Sequence, residues 1–92
     1  MSTVRIPPVL RPAAGHNKEV EVDGATVGEV LTDLVGRYPN LRTQLLTDEG
    51  ELNRFVNVYL NDQDIRYLKE LATPVEARDT VVILPAMAGG AG

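Results

Sequence analysis

One histidine, His16, and one serine, Ser2, are all that the chain offers for a hydroxyl–imidazole pair, and cysteine is absent. Without a thiol there is no disulfide, no thiolate nucleophile and no cysteine-ligated zinc. A Ser-His or Cys-His catalytic pair therefore has almost nothing to be built from. His16 lies in a polar stretch without a second imidazole and reads as an exposed loop residue. Asp48, Glu49 and Glu51 sit close together, but their spacing matches no calcium loop. Asp62 and Asp64 imitate the start of an EF-hand without its glycine or its closing glutamate, so Asn61-Asp62 reads as turn chemistry. No Gly-x-x-x-x-Gly-Lys phosphate loop is present. Arg5, Arg11, Arg37, Arg42, Arg54, Arg66 and Arg78 are spread along the chain and read as surface charge. These side chains compose neither a metal site nor an active site, so the chain is expected not to be an enzyme on its own.

The remaining candidate is a stretch of backbone. Ala86-Met87-Ala88-Gly89-Gly90-Ala91-Gly92 is small and uncharged. No helix follows its glycines, so they offer no helix N-terminus to a phosphate. An incidental terminus is one reading, since chain ends are often small and loosely held. The other is that glycine, having no Cβ, lets this backbone enter a narrow channel and present its own carboxylate. The reactive group would then be the chain end. In favour of the second reading, the most apolar run of the sequence leads directly into it through Pro85.

The elements before the tail must hold it out. Thr3 to Leu10 alternates and is predicted as a strand that bends or lies at an edge at Pro7-Pro8. Pro12 to Asn17 reads as a loop, Lys18 to Val22 as a half-buried strand, and Asp23-Gly24 as a turn. Thr26-Val27-Gly28-Glu29 is a capping box, with Glu29 reaching back to the Thr26 amide. Val27, Val30, Leu31, Leu34, Val35 and Tyr38 then mark one helical face up to Pro39. Leu41 to Leu46 suits one more helical turn, and Thr47 to Asn53 a loop. Phe55 to Leu60 alternates strictly, with Val56, Val58 and Leu60 on one side and Phe55, Asn57 and Tyr59 on the other. A polar turn follows, then a short returning strand over Ile65 to Tyr67. Thr80 to Leu84 is β-branched and apolar, and is predicted as a central strand buried on both faces. Leu31→Asp and Val82→Asp are expected to unfold the domain by burying a charge.

A chain of 92 residues holds one domain, here 1–85 with a tail over 86–92. The net charge of −4 and the lack of a basic patch argue against nucleic acid. No run approaches the ~20 apolar residues of a membrane span, and Met1 to Ile6 has no signal-like apolar core. The cytoplasm is the expected location. One helix across a small mixed sheet is an α+β layer, in an order that suits a β-grasp roll.

Three stretches carry a family resemblance. They are Ile6-Pro7 through Leu10-Arg11-Pro12, Arg54-Phe55-Val56-Asn57-Val58-Tyr59-Leu60-Asn61-Asp62, and Val82-Ile83-Leu84-Pro85-Ala86-Met87-Ala88-Gly89-Gly90. With them the sequence resembles the ThiS/MoaD sulfur carriers of ubiquitin-like β-grasp fold, nearest to the actinobacterial CysO type that serves cysteine biosynthesis. The resemblance implies that an E1-like adenylyltransferase/sulfurtransferase uses ATP to adenylate the terminal glycine carboxylate. Sulfur from a separate source then displaces AMP and leaves a thiocarboxylate. A pyridoxal-phosphate synthase accepts that sulfur, and a JAMM-type metalloprotease frees the product. No cofactor resides on the carrier. The family pattern stops at Gly-Gly, whereas here Ala91-Gly92 follows. Trimming to Gly90 is the favoured reading, with Gly92 as the alternative activated residue and an inactive chain as the third. Leu84, Pro85 and Met87 are expected in the partner-binding patch, together with a partly exposed Phe55. The same carrier chemistry feeding molybdopterin, thiazole or a sulfur-containing natural product is an alternative. Readings of other classes are a ubiquitin-like protein modifier and a plain interaction module.

Overall fold

The computed structural model describes residues 1–85. Strands β1 (Ser2–Arg5), β2 (Glu19–Val22), β3 (Val56–Leu60), β4 (Gln63–Asp64) and β5 (Thr80–Pro85) form one sheet in the order β2-β1-β5-β3-β4. β5 is parallel to β1 and antiparallel to β3, and the other neighbours are antiparallel. Helix α1 (Val27–Arg37) follows β2, and a single turn, α2 (Arg42–Leu45), follows α1. The last strand thus lies between the first and the third, with a helix across the sheet. This is the β-grasp arrangement.

The alternation of strand side chains builds the core. Val4, Val20, Val22, Val56, Val58, Val81 and Ile83 point to one side and are buried. Val27, Val30, Leu31, Leu34 and Val35 of α1 cover them, and Leu41, Leu45, Ile65 and Val75 close the periphery. Thr26 is the N-cap: its Oγ1 accepts the Glu29 N–H at 3.2 Å. Glu29 returns the bond one residue earlier than a simple capping box predicts, accepting from the Ala25 N–H at 3.0 Å.

The two helical glycines differ. A Cβ on Gly28 would stand 3.1 Å from the Leu71 carbonyl oxygen, so its absence lets α1 approach the 3-10 turn at Glu70–Ala72. A Cβ on Gly36 would meet nothing within 4 Å. Gly36→Ala is therefore expected to stabilise the protein by about 0.5–1 kcal/mol. Gly28→Ala should gain nothing, because crowding against Leu71 offsets the helix propensity. Urea midpoints of the two variants check this.

Four local expectations are corrected. The first strand ends at Arg5 rather than reaching Leu10, and Pro8–Ala14 is a 3-10 helix where a loop was expected from Pro12. Pro7 and Pro8 have no N–H to give a ladder, whereas Pro8 suits a helical first turn. Phe55 precedes β3 in a turn, its N–H held by Asn53 Oδ1 at 2.9 Å. The returning strand is Gln63–Asp64, and Ile65–Tyr67 is a 3-10 turn. Asp64 redirects the chain there by accepting the Arg66 N–H at 2.9 Å. Finally, β5 is central but buried on one face only. Val81 and Ile83 are covered, while Thr80 and Val82 are half-buried and Leu84 is 42% exposed. Helical packing covers one side of the sheet, so an apolar strand can keep its other face open.

Asp64 also pairs with the Arg66 guanidinium at 2.7 Å, although its own side chain is nearly buried. Hydrogen bonds from the Arg66 side chain, and then from its backbone N–H, hold the Asp64 carboxyl below the ordinary aspartate range. The Asp23 N–H chiefly does the same for Asp33, helped by Arg37. A carboxyl depressed in the folded state contributes stability above its unfolded pKa of about 3.9 and loses it as the pH falls through the folded value. Asp64→Asn should therefore be less stable than the parent at neutral pH, and the gap should narrow as the pH falls through the ordinary aspartate range and below it. Denaturant midpoints across that range measure it; a gap independent of pH contradicts the assignment.

Candidate functional site

β5 delivers the chain toward its last residues from the middle of the sheet. Both neighbours hold it: Val82 pairs with Arg5 on one side and with Tyr59 on the other. Leu84 then pairs with Asn57, and Pro85, half-buried, with Val56. The point where the described residues end is thus fixed by the ladder with β3. Met87, Ala88, Gly89, Gly90, Ala91 and Gly92 lie outside the described residues.

The sheet face not covered by α1 carries Val82, Leu84 and Tyr59 at this end, with Phe55, 59% exposed, at the entrance to β3. The register pairs Pro85 with Val56, so the end of β5 lies beside the start of β3, and Phe55 stands one residue before that pair. Beside Leu84 opens a groove of about 580 Å³. Ile6, Pro7, Pro8 and residues 82–84 of β5 form its apolar part, and Arg5, Arg11, Lys18 and Glu19 its polar part. Arg11 donates from Nε to the Ile6 carbonyl at 3.0 Å, which ties the 3-10 helix to the end of β1. A second cleft, of about 630 Å³, lies between the approach to β3 and the 3-10 turns at 65–72.

His16 is exposed, in a left-handed conformation just after Gly15. Asp48, Glu49, Glu51 and Asp62 are exposed in turns. Among the described residues no three His, Cys, Asp or Glu side chains converge on a possible metal position. No helix among them is long and apolar enough to cross a membrane. What the arrangement can do chemically is offer a recognition face at the end of β5.

Arg5, Arg11, Lys18 and Val82 are not site candidates from the sequence, whereas Tyr59, with Phe55, is read there as either core or binding surface. Strict alternation over Phe55 to Leu60 is the signal that places Tyr59 opposite Val56 and Val58. Val82 needed the strand pairing. The three basic residues converge only because the 3-10 helix folds Arg11 back onto β1, and their spacing carries no sign of it.

The sequence matches the ThiS family over residues 4–90. The chain belongs to the ThiS family. This ThiS-family chain is 46% identical over 90 residues to the sulfur carrier protein CysO of Mycobacterium tuberculosis, covering 96% of this chain and 97% of that protein. Its fold superposes on a chain of the Amycolatopsis orientalis BexX/CysO complex with a TM-score of 0.87 and 43% identity, over 94% of this chain and 96% of that one. It also resembles the small archaeal modifier protein 1 of Methanosarcina acetivorans, with a TM-score of 0.86 and 33% identity over 97% and 95% of the two chains. The ubiquitin-like β-grasp fold and the likeness to sulfur carriers of the CysO kind are thus both as the sequence implied.

Proposed function

We propose that the chain is a sulfur carrier of cysteine biosynthesis and acts as a co-substrate of partner enzymes. The observation that carries this is the near-full-length identity to a sulfur carrier protein, in a family match that runs through Gly89-Gly90, a few residues beyond the centrally held Pro85. A carboxylate is a poor electrophile. An E1-like enzyme improves it: the terminal oxygen attacks the α-phosphorus of ATP, pyrophosphate leaves, and an acyl-adenylate forms. A sulfur nucleophile then attacks that carbonyl and expels AMP, leaving the thiocarboxylate. Its sulfur adds to an aminoacrylate held by a pyridoxal-phosphate synthase, an S-to-N acyl shift follows, and a JAMM-type metalloprotease hydrolyses the amide to free cysteine. Sulfur held on a protein does not diffuse away as sulfide.

Gly90 is the residue we assign to adenylation, after removal of Ala91-Gly92, because the family match ends on it. Gly92 is the alternative. Leu84, Pro85, Met87 and Phe55 form the partner-facing patch. Leu84 and Phe55 are large, exposed and apolar, and such residues clustered together mark interaction surfaces. That a CysO chain has been crystallised in complex with BexX supports a protein partner for this fold. A second reading, a protein modifier, draws on the likeness to the small archaeal modifier proteins. It predicts isopeptide adducts on lysines and little thiocarboxylate.

Exchange of labelled pyrophosphate into ATP tests the adenylation step. With the E1-like enzyme of the same host, a chain ending at Gly90 should drive exchange, and the chain ending at Gly92 should do so only after trimming. Exchange by the untrimmed chain alone would move the assignment to Gly92, and exchange by neither would remove adenylation.

A further inference from the structure

We propose that the groove beside Leu84 docks an acidic, apolar segment of the protein that handles the last residues of this chain. The identity of that partner class rests on the sulfur-carrier reading; the character of the groove does not. Its floor is Ile6, Val82 and Leu84. Arg5, Arg11 and Lys18 stand around that floor, against the single carboxylate of Glu19. Arg5 shares Glu19 at 3.8 Å, a loose contact between two exposed groups. Arg11 spends only Nε, on the Ile6 carbonyl, which pins the guanidinium at the rim and leaves its two terminal nitrogens without a hydrogen bond among the described residues. Lys18 makes no ion pair among the described residues. On a chain of net charge −4, this is a local reversal of sign.

Apolar floor and cationic rim together define the occupant. A partner that buries Val82 and Leu84 also takes Arg11 and Lys18 out of water. That is unfavourable unless carboxylates answer them. A matching segment therefore carries an apolar side chain for the floor, flanked by aspartate or glutamate for the rim. The position of the groove, against the same Leu84 that leads into the tail, sets this contact beside the point where a partner must take the chain end. Complementary charge of this kind raises the encounter rate and fixes orientation.

Amide spectra of the ¹⁵N-labelled full chain test this, titrated with a capped Glu-Leu-Asp-Leu-Glu peptide, its neutral Gln-Leu-Asn-Leu-Gln analogue, a Lys-Leu-Lys-Leu-Lys peptide and inorganic phosphate. The acidic peptide should shift the amides of Ile6, Arg11, Lys18, Val82 and Leu84, more than the other three probes do. Arg11→Gln and Lys18→Glu should each weaken it about tenfold, the scale of one charge-assisted contact, while Arg37→Gln should not. The Lys18 side chain makes no hydrogen bond or ion pair among the described residues, and its carbonyl keeps the Ile6 N–H whatever the side chain, so its variant keeps the test valid if Arg11→Gln disturbs the fold. Equal shifts with the neutral or basic peptide, shifts centred on other arginines, no effect of Lys18→Glu, or phosphate alone matching the peptide would each overturn the proposal. The titration does not read adenylation or sulfur. Its failure therefore leaves the carrier reading standing, and loss of the carrier reading leaves the groove standing.

Discussion

Deleting Gly89 to Gly92 will abolish sulfur donation and leave the fold as it is. Among the described residues every buried core residue lies at or before Ile83, and the ladder between β5 and β3 runs to Pro85. Removing Gly89 to Gly92 leaves that core and that ladder in place, so the thermal midpoint should stay within about 2 °C of the parent. Function should fall to background, because the proposal places the reactive carboxylate on a terminal glycine, and the shortened chain ends instead at Ala88. Thiocarboxylate formation with the partner enzyme and a thermal melt on the same preparation decide the matter. Sulfur donation by the shortened chain would sink the carrier account. A collapsed melt would mean that the last residues belong to the domain.

Leu31→Asp and Val82→Asp should part company, although the sequence alone treats them as equivalent. Leu31 is fully buried between α1 and the sheet. A carboxylate there has no partner, and its desolvation costs several kcal/mol, against a total of about 5–10 for a domain of this size. The variant should be unfolded or nearly so at room temperature. Val82 looks out from the open face with Arg5 as its cross-strand neighbour. Its aspartate stays hydrated and close to a cation, so the loss should be no more than about 2 kcal/mol. On the same reasoning Val81→Asp, at a residue with no exposed surface, should behave like Leu31→Asp. Far-ultraviolet circular dichroism and urea midpoints separate the three. A Val82→Asp chain as unfolded as Leu31→Asp would require a second layer over that face.

The gap between those two residues shows what the sequence reveals. Helix α1 was legible because capping and periodicity are local: Thr26, Glu29 and the Val27–Val35 stripe are all needed to start and seat one helix. The place of β5 at the centre of the sheet was legible from the β-branched run Thr80–Leu84. How many layers cover that run is not a local property. It depends on there being one helical layer for one sheet, and so the prediction of burial on both faces failed at Val82 and Leu84. Turn chemistry was read too coarsely at Pro7-Pro8 and at Asp64, where missing donors in one case and a side-chain cap in the other convert extended chain into 3-10 turns. Of the candidate site, Leu84 and Pro85 are picked out by nearness to the tail, and the exposure expected of Phe55 is found, though in a turn before β3 rather than within it. Arg11 and Lys18 are not picked out, because their meeting depends on the 3-10 helix that folds Arg11 back toward β1.

The central claim is that this chain carries sulfur on its terminal glycine, and intact mass on protein recovered from its own host tests it most directly. The account predicts a species ending at Gly90 and heavier by about 16 Da than the plain carboxylate, the replacement of one oxygen by sulfur. A chain that keeps Gly92 and never shows that increment, even when sulfur supply is raised, would contradict it.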